Sequence, residues 1–148
     1  MQRILCLDVG TKRIGVAISD PFGKTAQGIT TLIRTTFPKD CAQILKIFQE
    51  YDVEKILIGL PTDLEDAEGP QAKKVRFFEE GLEKFLKENH LDIQIQFWDE
   101  SFSSREAESI LLEGDLSRKK RRKVIDKLAA ALILQDYLNS YEGTSKNL

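Results

Sequence analysis

The segment from Ile4 to Ala17, ILCLDVGTKRIGVA, constrains the fold more than any other stretch of the chain. An apolar run, ILCLDV, closes on an aspartate and a glycine; the polar turn TKR follows, and a second apolar run starts at Ile14. Two β-rich segments joined this tightly predict an antiparallel hairpin. Asp8 falls near the end of the first strand, where a buried carboxylate is costly without a partner. Either it accepts hydrogen bonds from the turn, or it holds a metal ion or meets a phosphate group. Gly10 and Gly15 mark points where the backbone can turn or let another group come close.

The rest of the chain alternates strand and helix. After Pro21 and Gly23, the stretch Gln27 to Ile33 predicts a third strand and completes a meander. From Pro38 to Tyr51 the period changes, and Cys41, Ile44, Leu45 and Phe48 share one helical face. Pro38 and Asp40 suit the first turn of that helix. Lys55 to Leu60, KILIGL, is a continuous apolar run that fits a central parallel strand. The loop beyond it carries Thr62, Asp63, Glu65, Asp66 and Glu68, at a point where open α/β sheets place ligands. An acidic loop is more often simply solvated.

Val75, Phe78, Leu82, Phe85 and Leu86 then recur at helical spacing as a core stripe. Ile93 to Trp98, IQIQFW, alternates as a strand with one covered face. It ends in Asp99 and Glu100, a second acidic group at a strand end. Ser103 with Glu106 suits a capping box, and Ala107, Ile110 and Leu111 supply the buried side of the helix that follows. In the last helix Val124, Leu128, Ala131, Leu132 and Gln135 describe an amphipathic surface, and Ala129 to Ala131 would allow close approach to a sheet. Asp126 lies among these small and apolar neighbours.

A length of 148 residues suits one domain, able to bury about 68–70% of the surface its unfolded chain exposes. We place that domain at residues 1–138, with a flexible tail at 139–148. The net charge of −2 predicts no global attraction to nucleic acid. A local patch is present instead: Arg118, Lys119, Lys120, Arg121, Arg122 and Lys123 follow one another as a mobile, solvated cationic tract. The single histidine, His90, excludes a histidine-rich metal site. Cys6 and Cys41 are the only cysteines, and Cys6 sits in an apolar run, so free thiols in a reducing compartment are expected. The opening MQRILCLDVG is unlike a secretory leader, and no apolar run spans a bilayer. A cytoplasmic location without membrane contact follows.

Asp8, the Asp99/Glu100 pair and Asp126 stand in four ordered motifs: LDVGTKRIGVAISD, ILIGLP, WDESFSS followed by REAE, and VIDKLAAALILQDYL. Together they cover most of Ile4 to Leu138, with Glu68-Gly69-Pro70 between. This pattern closely resembles the bacterial Holliday-junction-resolvase-like family to which processing of the 5′ end of pre-16S ribosomal RNA is assigned. The resemblance implies an α/β, ribonuclease H-like fold with a five-stranded mixed sheet flanked by helices. It also implies a cytoplasmic metal-dependent endonuclease acting on precursor 16S ribosomal RNA or other structured nucleic acid, with ribosomal precursor particles as partners. The family's catalytic carboxylates match Asp8, Asp99, Glu100 and Asp126, and its hairpin basic pair matches Lys12 and Arg13. Ser101 stands where the family usually has arginine, which removes one phosphate or carboxylate contact.

The chemistry of these residues agrees. Clustered carboxylates repel one another without cations nearby, and an all-oxygen set selects hard ions, here Mg²⁺ or Mn²⁺. Two such ions about 3.5–4 Å apart serve in-line displacement at phosphorus. Lys12, Arg13 and the Arg118–Lys123 tract would neutralise the substrate backbone. Other readings are a non-catalytic RNA-, ribosome- or transcription-associated binding protein and a resolvase of branched DNA. The string Asp8-Val9-Gly10-Thr11 also resembles the phosphate loop of sugar kinases and actin-like ATPases, but those need a second related domain.

Overall fold

Period-2 alternation in the apolar runs builds a sheet with two covered faces. The computed structural model describes residues 3–61, 69–99 and 118–146. Strand β1 (Arg3–Val9) pairs antiparallel with β2 (Arg13–Ser19), and β2 pairs antiparallel with β3 (Ala26–Ile33). Helix α1 (Phe37–Glu50) leads to β4 (Val53–Leu60), and α2 (Pro70–Glu88) leads to β5 (Gln94–Asp99). Helix α3 (Arg118–Lys146) closes the chain. The strand order is β3-β2-β1-β4-β5, with β4 parallel to both its neighbours. KILIGL is therefore the interior parallel strand that its unbroken hydrophobicity requires.

One face of the sheet places Leu5, Leu7, Val9, Ile14, Val16, Ile56 and Ile58 against Cys41 and Ile44 of α1 and Val75, Phe78, Leu82 and Leu86 of α2. On the other, Cys6, Ala17 and Leu57 meet Ala130, Ile133, Leu134, Tyr137 and Leu138 of α3. Alternation along β1 sends Asp8 to the α3 face, in phase with Cys6.

Helix ends follow local chemistry. Thr36 caps α1, its hydroxyl accepting from the Lys39 N–H at 3.4 Å, with Pro38 in the first turn. Beyond α2, His90 adopts a left-handed backbone (φ 61°) and its N–H donates to the Lys87 carbonyl at 3.0 Å. The lone histidine thus closes a helix, exposed to solvent. Neither Cys6 nor Cys41 forms a disulfide, and both are buried. Burial, with the Asp40 charge beside it, pushes the Cys41 thiol up to about 11, so it stays protonated at neutral pH.

Helix α3 departs from expectation in two ways. Its buried residues are Ala129, Ala130, Ile133, Leu134, Tyr137 and Leu138, whereas Val124, Leu128, Ala131, Leu132 and Gln135 are only partly covered. Both stripes are apolar enough to pass for the core face; the contact with the sheet decides between them. The tract Arg118–Lys123 forms the first turns of the helix rather than a mobile loop. Beyond Leu138 the helix runs on to Lys146. The acidic loop Thr62–Glu68 lies outside the described residues. So does 100–117, with Glu100, Ser101, Ser103, Glu106, Ala107, Ile110 and Leu111.

Candidate active site

Asp8 occupies the penultimate position of β1, half-buried, and pairs in register with Gly15 of β2. Gly15 carries no side chain because α3 crosses there. A Cβ at that position would overlap the Asp126 carbonyl and lie 3.2 Å from the Lys127 nitrogen. Gly28 of β3 serves the same contact: its Cβ would fall 2.8 Å from the Lys127 carbonyl oxygen. The helix therefore rests backbone to backbone on two strands. Paired residues across antiparallel strands stand about 4.5–5.5 Å apart, so the Asp126 backbone lies over the neighbour of Asp8. Asp8 and the Asp126 backbone, far apart in sequence, therefore stand on the same face of the sheet.

Hydrogen bonds to β3 and the turn before it fix the helix at that height. The Thr31 hydroxyl donates to the Lys123 carbonyl at 2.5 Å. Gln135 accepts from the Ala26 N–H and donates to the Lys24 carbonyl, each at 3.0 Å. Sliding the helix would break these together.

Arg13, counted from the sequence among the substrate contacts, has another partner. Its Nε donates to Oδ2 of Asp126 at 2.5 Å, with both side chains about a quarter exposed. The cause is strand alternation: Arg13, Gly15 and Ala17 share the α3 face of β2, so the guanidinium emerges beside the helix. Such a charge-assisted bond holds the carboxylate in one orientation. Lys12 lies exposed in the turn.

Asp99 ends β5, exposed and paired with Leu60 of β4. Phe97 packs in the α1–α2 core and Trp98 in the α3 core. Alternation therefore assigns Asp99 to the face opposite Asp8. Trp98 stands edge-on to Tyr137 at 5.2 Å, and its indole N–H donates to Asp136 at 2.9 Å.

The turn joining β1 to β2 is held from outside by residues that sequence reasoning did not single out. Arg34 donates from Nη1 to the Gly10 carbonyl at 2.8 Å and pairs with the buried Asp40. Gln71 donates to the Val9 carbonyl at 3.4 Å. The only available sequence signal was an arginine closing a strand six residues before an aspartate, and Asp40 already had a sufficient role as a helix-start charge.

Among the described residues, no group of three or more histidine, cysteine or acidic side chains is gathered closely enough to hold a metal. Asp8 and Asp126 supply two carboxylates on a shared face, a donor chemistry that fits a hard divalent cation. Of the Asp99/Glu100 pair expected to complete the set, Glu100 lies outside the described residues. At the start of α3 the first turn carries no acidic residue, while the free N–H groups and dipole of a helix start favour anions. No described helix is long and apolar enough to cross a membrane.

The sequence profile of RuvX, described as a Holliday junction resolvase, matches residues 2–140. A protein of Desulforamulus reducens named "Putative pre-16S rRNA nuclease" is 50% identical over 139 residues, covering 94% of this chain and 98% of its own length. One of the same name from Caldanaerobacter subterraneus is 49% identical over 144 residues, covering 97% and 100%. Among solved structures, Thermus thermophilus RuvC superposes with a TM-score of 0.56 at 14% identity, covering 97% of this chain and 98% of RuvC. Fowlpox virus resolvase, solved with Holliday junction DNA, gives 0.55 at 12% identity, covering 95% and 99%. At such identities the likeness concerns the fold, which is ribonuclease H-like.

Proposed function

The chain belongs to the RuvX family of Holliday junction resolvases, and from that membership we propose that it is a metal-dependent phosphodiester hydrolase processing the 5′ end of precursor 16S ribosomal RNA. What supports the chemistry is the register of Asp8 with Gly15, over which the Asp126 backbone crosses. The substrate is carried over from the name of relatives about half identical over nearly the whole chain. The reaction belongs in the cytoplasm, on ribosomal precursor particles.

Asp8, Asp126 and one residue of the Asp99/Glu100 pair would hold Mg²⁺ or Mn²⁺, which when bound supplies an activated water and offsets charge on the leaving oxygen. Arg13 orients Asp126. Lys12 and the Arg118–Lys123 tract neutralise substrate phosphates; cations at the positive end of a helix disfavour one another and its dipole, and bound phosphate relieves both.

Between the paired acids, Asp99 shares the Phe97 face rather than that of Asp8, which leaves Glu100 as the better ligand candidate. Glu100→Gln should abolish cleavage, whereas Asp99→Asn should retain most of it; the reverse ranking would overturn the assignment. Replacing Lys119, Lys120 and Arg121 with alanine should weaken binding across several sequences. The slope of log affinity against log salt should become shallower by roughly 0.9 for each duplex-DNA phosphate no longer neutralised, or 0.7 for a single strand. Fluorescence anisotropy over a salt series measures both, and an unchanged slope would leave the tract as an ordinary solvated helix end.

The function itself is tested by cleavage of precursor 16S ribosomal RNA, a four-way DNA junction and a linear duplex, with and without Mn²⁺. Metal-dependent cutting of the precursor is expected. Preference for the junction, the reading favoured by the family description, would replace the substrate. Tight RNA binding with no cleavage would make the chain a binding protein.

A further inference from the structure

We propose that Arg34 is a positioning residue for the metal-holding carboxylates, acting through the turn between β1 and β2. The inference rests on the metal-dependent reading above and adds to it a residue outside the acidic set. The turn is the element both halves of the site share. Asp8 precedes it by two residues, and Arg13, which closes it, holds Asp126. Its own internal bond joins the Gly10 N–H to the Arg13 carbonyl at 2.8 Å. A displacement of this turn therefore moves Asp8 and the partner of Asp126 together.

Arg34 grips the turn twice. Its backbone N–H donates to the Lys12 carbonyl at 2.9 Å, and Nη1 donates to the Gly10 carbonyl at 2.8 Å. The guanidinium is itself anchored. Nε faces Oδ2 of Asp40 at 3.3 Å, and the Asp40 side chain is 4% exposed. Oδ1 of Asp40 accepts from the Thr35 N–H at 3.0 Å, and the guanidinium carbon stands 5.1 Å from the centre of the buried Phe78 ring. One planar fork thus connects a fixed carboxylate to the backbone beside Asp8. A buried ion pair of this kind is poor evidence for stability alone, but its geometry transmits the rigidity of the α1–α2 core to the active-site turn. Lysine cannot replace it, because a single ammonium on a flexible stem lacks the fork that spans both acceptors.

The test compares full-length variants by Mn²⁺ titration followed by electron paramagnetic resonance, well below every melting midpoint. Arg34→Lys keeps the charge against Asp40. The double variant Arg34→Met/Asp40→Asn removes the pair without leaving an unpaired buried charge, so one design still reads the effect where the other fails to fold. Leu82→Ala, in the core away from the turn, serves as the control for reduced stability. Both Arg34 designs should bind Mn²⁺ about 10-fold more weakly, the low end for loss of a ligand-supporting group, and lower kcat with KM for RNA unchanged. The control should melt earlier with its Mn²⁺ affinity intact. Unmodified affinity in both Arg34 designs, or an equal loss in Leu82→Ala, would overturn the proposal. Absence of Mn²⁺ binding by the unmodified chain would instead remove the metal-dependent reading, and this inference with it.

Discussion

Asp8→Asn is expected to lose metal-dependent cleavage by about 10³-fold or more, since a bound cation contributes several kcal/mol of transition-state stabilisation. The substitution keeps the volume and removes one charge. Asp8 is half-buried at a strand end, and its place in the ladder depends on backbone pairing with Gly15, so folding and RNA affinity should persist. Circular dichroism and anisotropy check those two properties while single-turnover kinetics read the loss. Near-normal turnover by purified Asp8→Asn protein would remove Asp8 from the essential set. Asp126→Asn should lose comparable activity, with an added cost from the weakened interaction with Arg13.

Gly15→Ala should be the most destabilising single-methyl change at the site. The added carbon would overlap the Asp126 carbonyl and crowd the Lys127 nitrogen at 3.2 Å. Both are helix backbone, so no side-chain rotation relieves the clash. Overpacking usually costs about 1–3 kcal/mol, and the upper end applies here, which corresponds to roughly 6–12 °C in melting midpoint. If α3 lifts to accommodate the methyl, Asp126 leaves the vicinity of Asp8, and Mn²⁺ affinity should fall with stability. A Gly15→Ala protein with unchanged melting would show that the helix does not rest on this strand. Gly28→Ala should behave similarly but more mildly, its closest approach being 2.8 Å.

Much of the fold was legible because its signals are periodic and local. The hairpin could be read from two apolar runs around TKR, and β4 from an unbroken KILIGL that only an interior strand tolerates. The stripe through Val75, Phe78, Leu82 and Leu86 has one possible orientation. Helix α3 was harder, because its Leu128–Leu132 and Ile133–Leu134 sides are both apolar. What selects the second is the contact with Gly15 and Gly28, residues of a distant part of the chain. The same limit applies to the site. Asp8 is conspicuous as a carboxylate in a strand, but its convergence with Asp126 came from family resemblance, since no local pattern specifies where a distant helix crosses a sheet. Arg13 and Lys12 are adjacent in sequence, and strand phase alone turns one toward Asp126 and leaves the other exposed. Arg34 was invisible for a related reason: its two acceptors, Gly10 and Asp40, are neighbours only after β3 and α1 have folded.

The metal-dependent reading of this protein depends on Asp8 and Asp126 forming one divalent-cation site on the α3 face of the sheet. Diffraction from crystals soaked in Mn²⁺, collected at the manganese absorption edge, tests it most directly. The expected result is an anomalous peak within coordination distance of both carboxylates, absent in Asp8→Asn crystals. A peak elsewhere, or Asp8 and Asp126 found on opposite faces of the sheet, would contradict it.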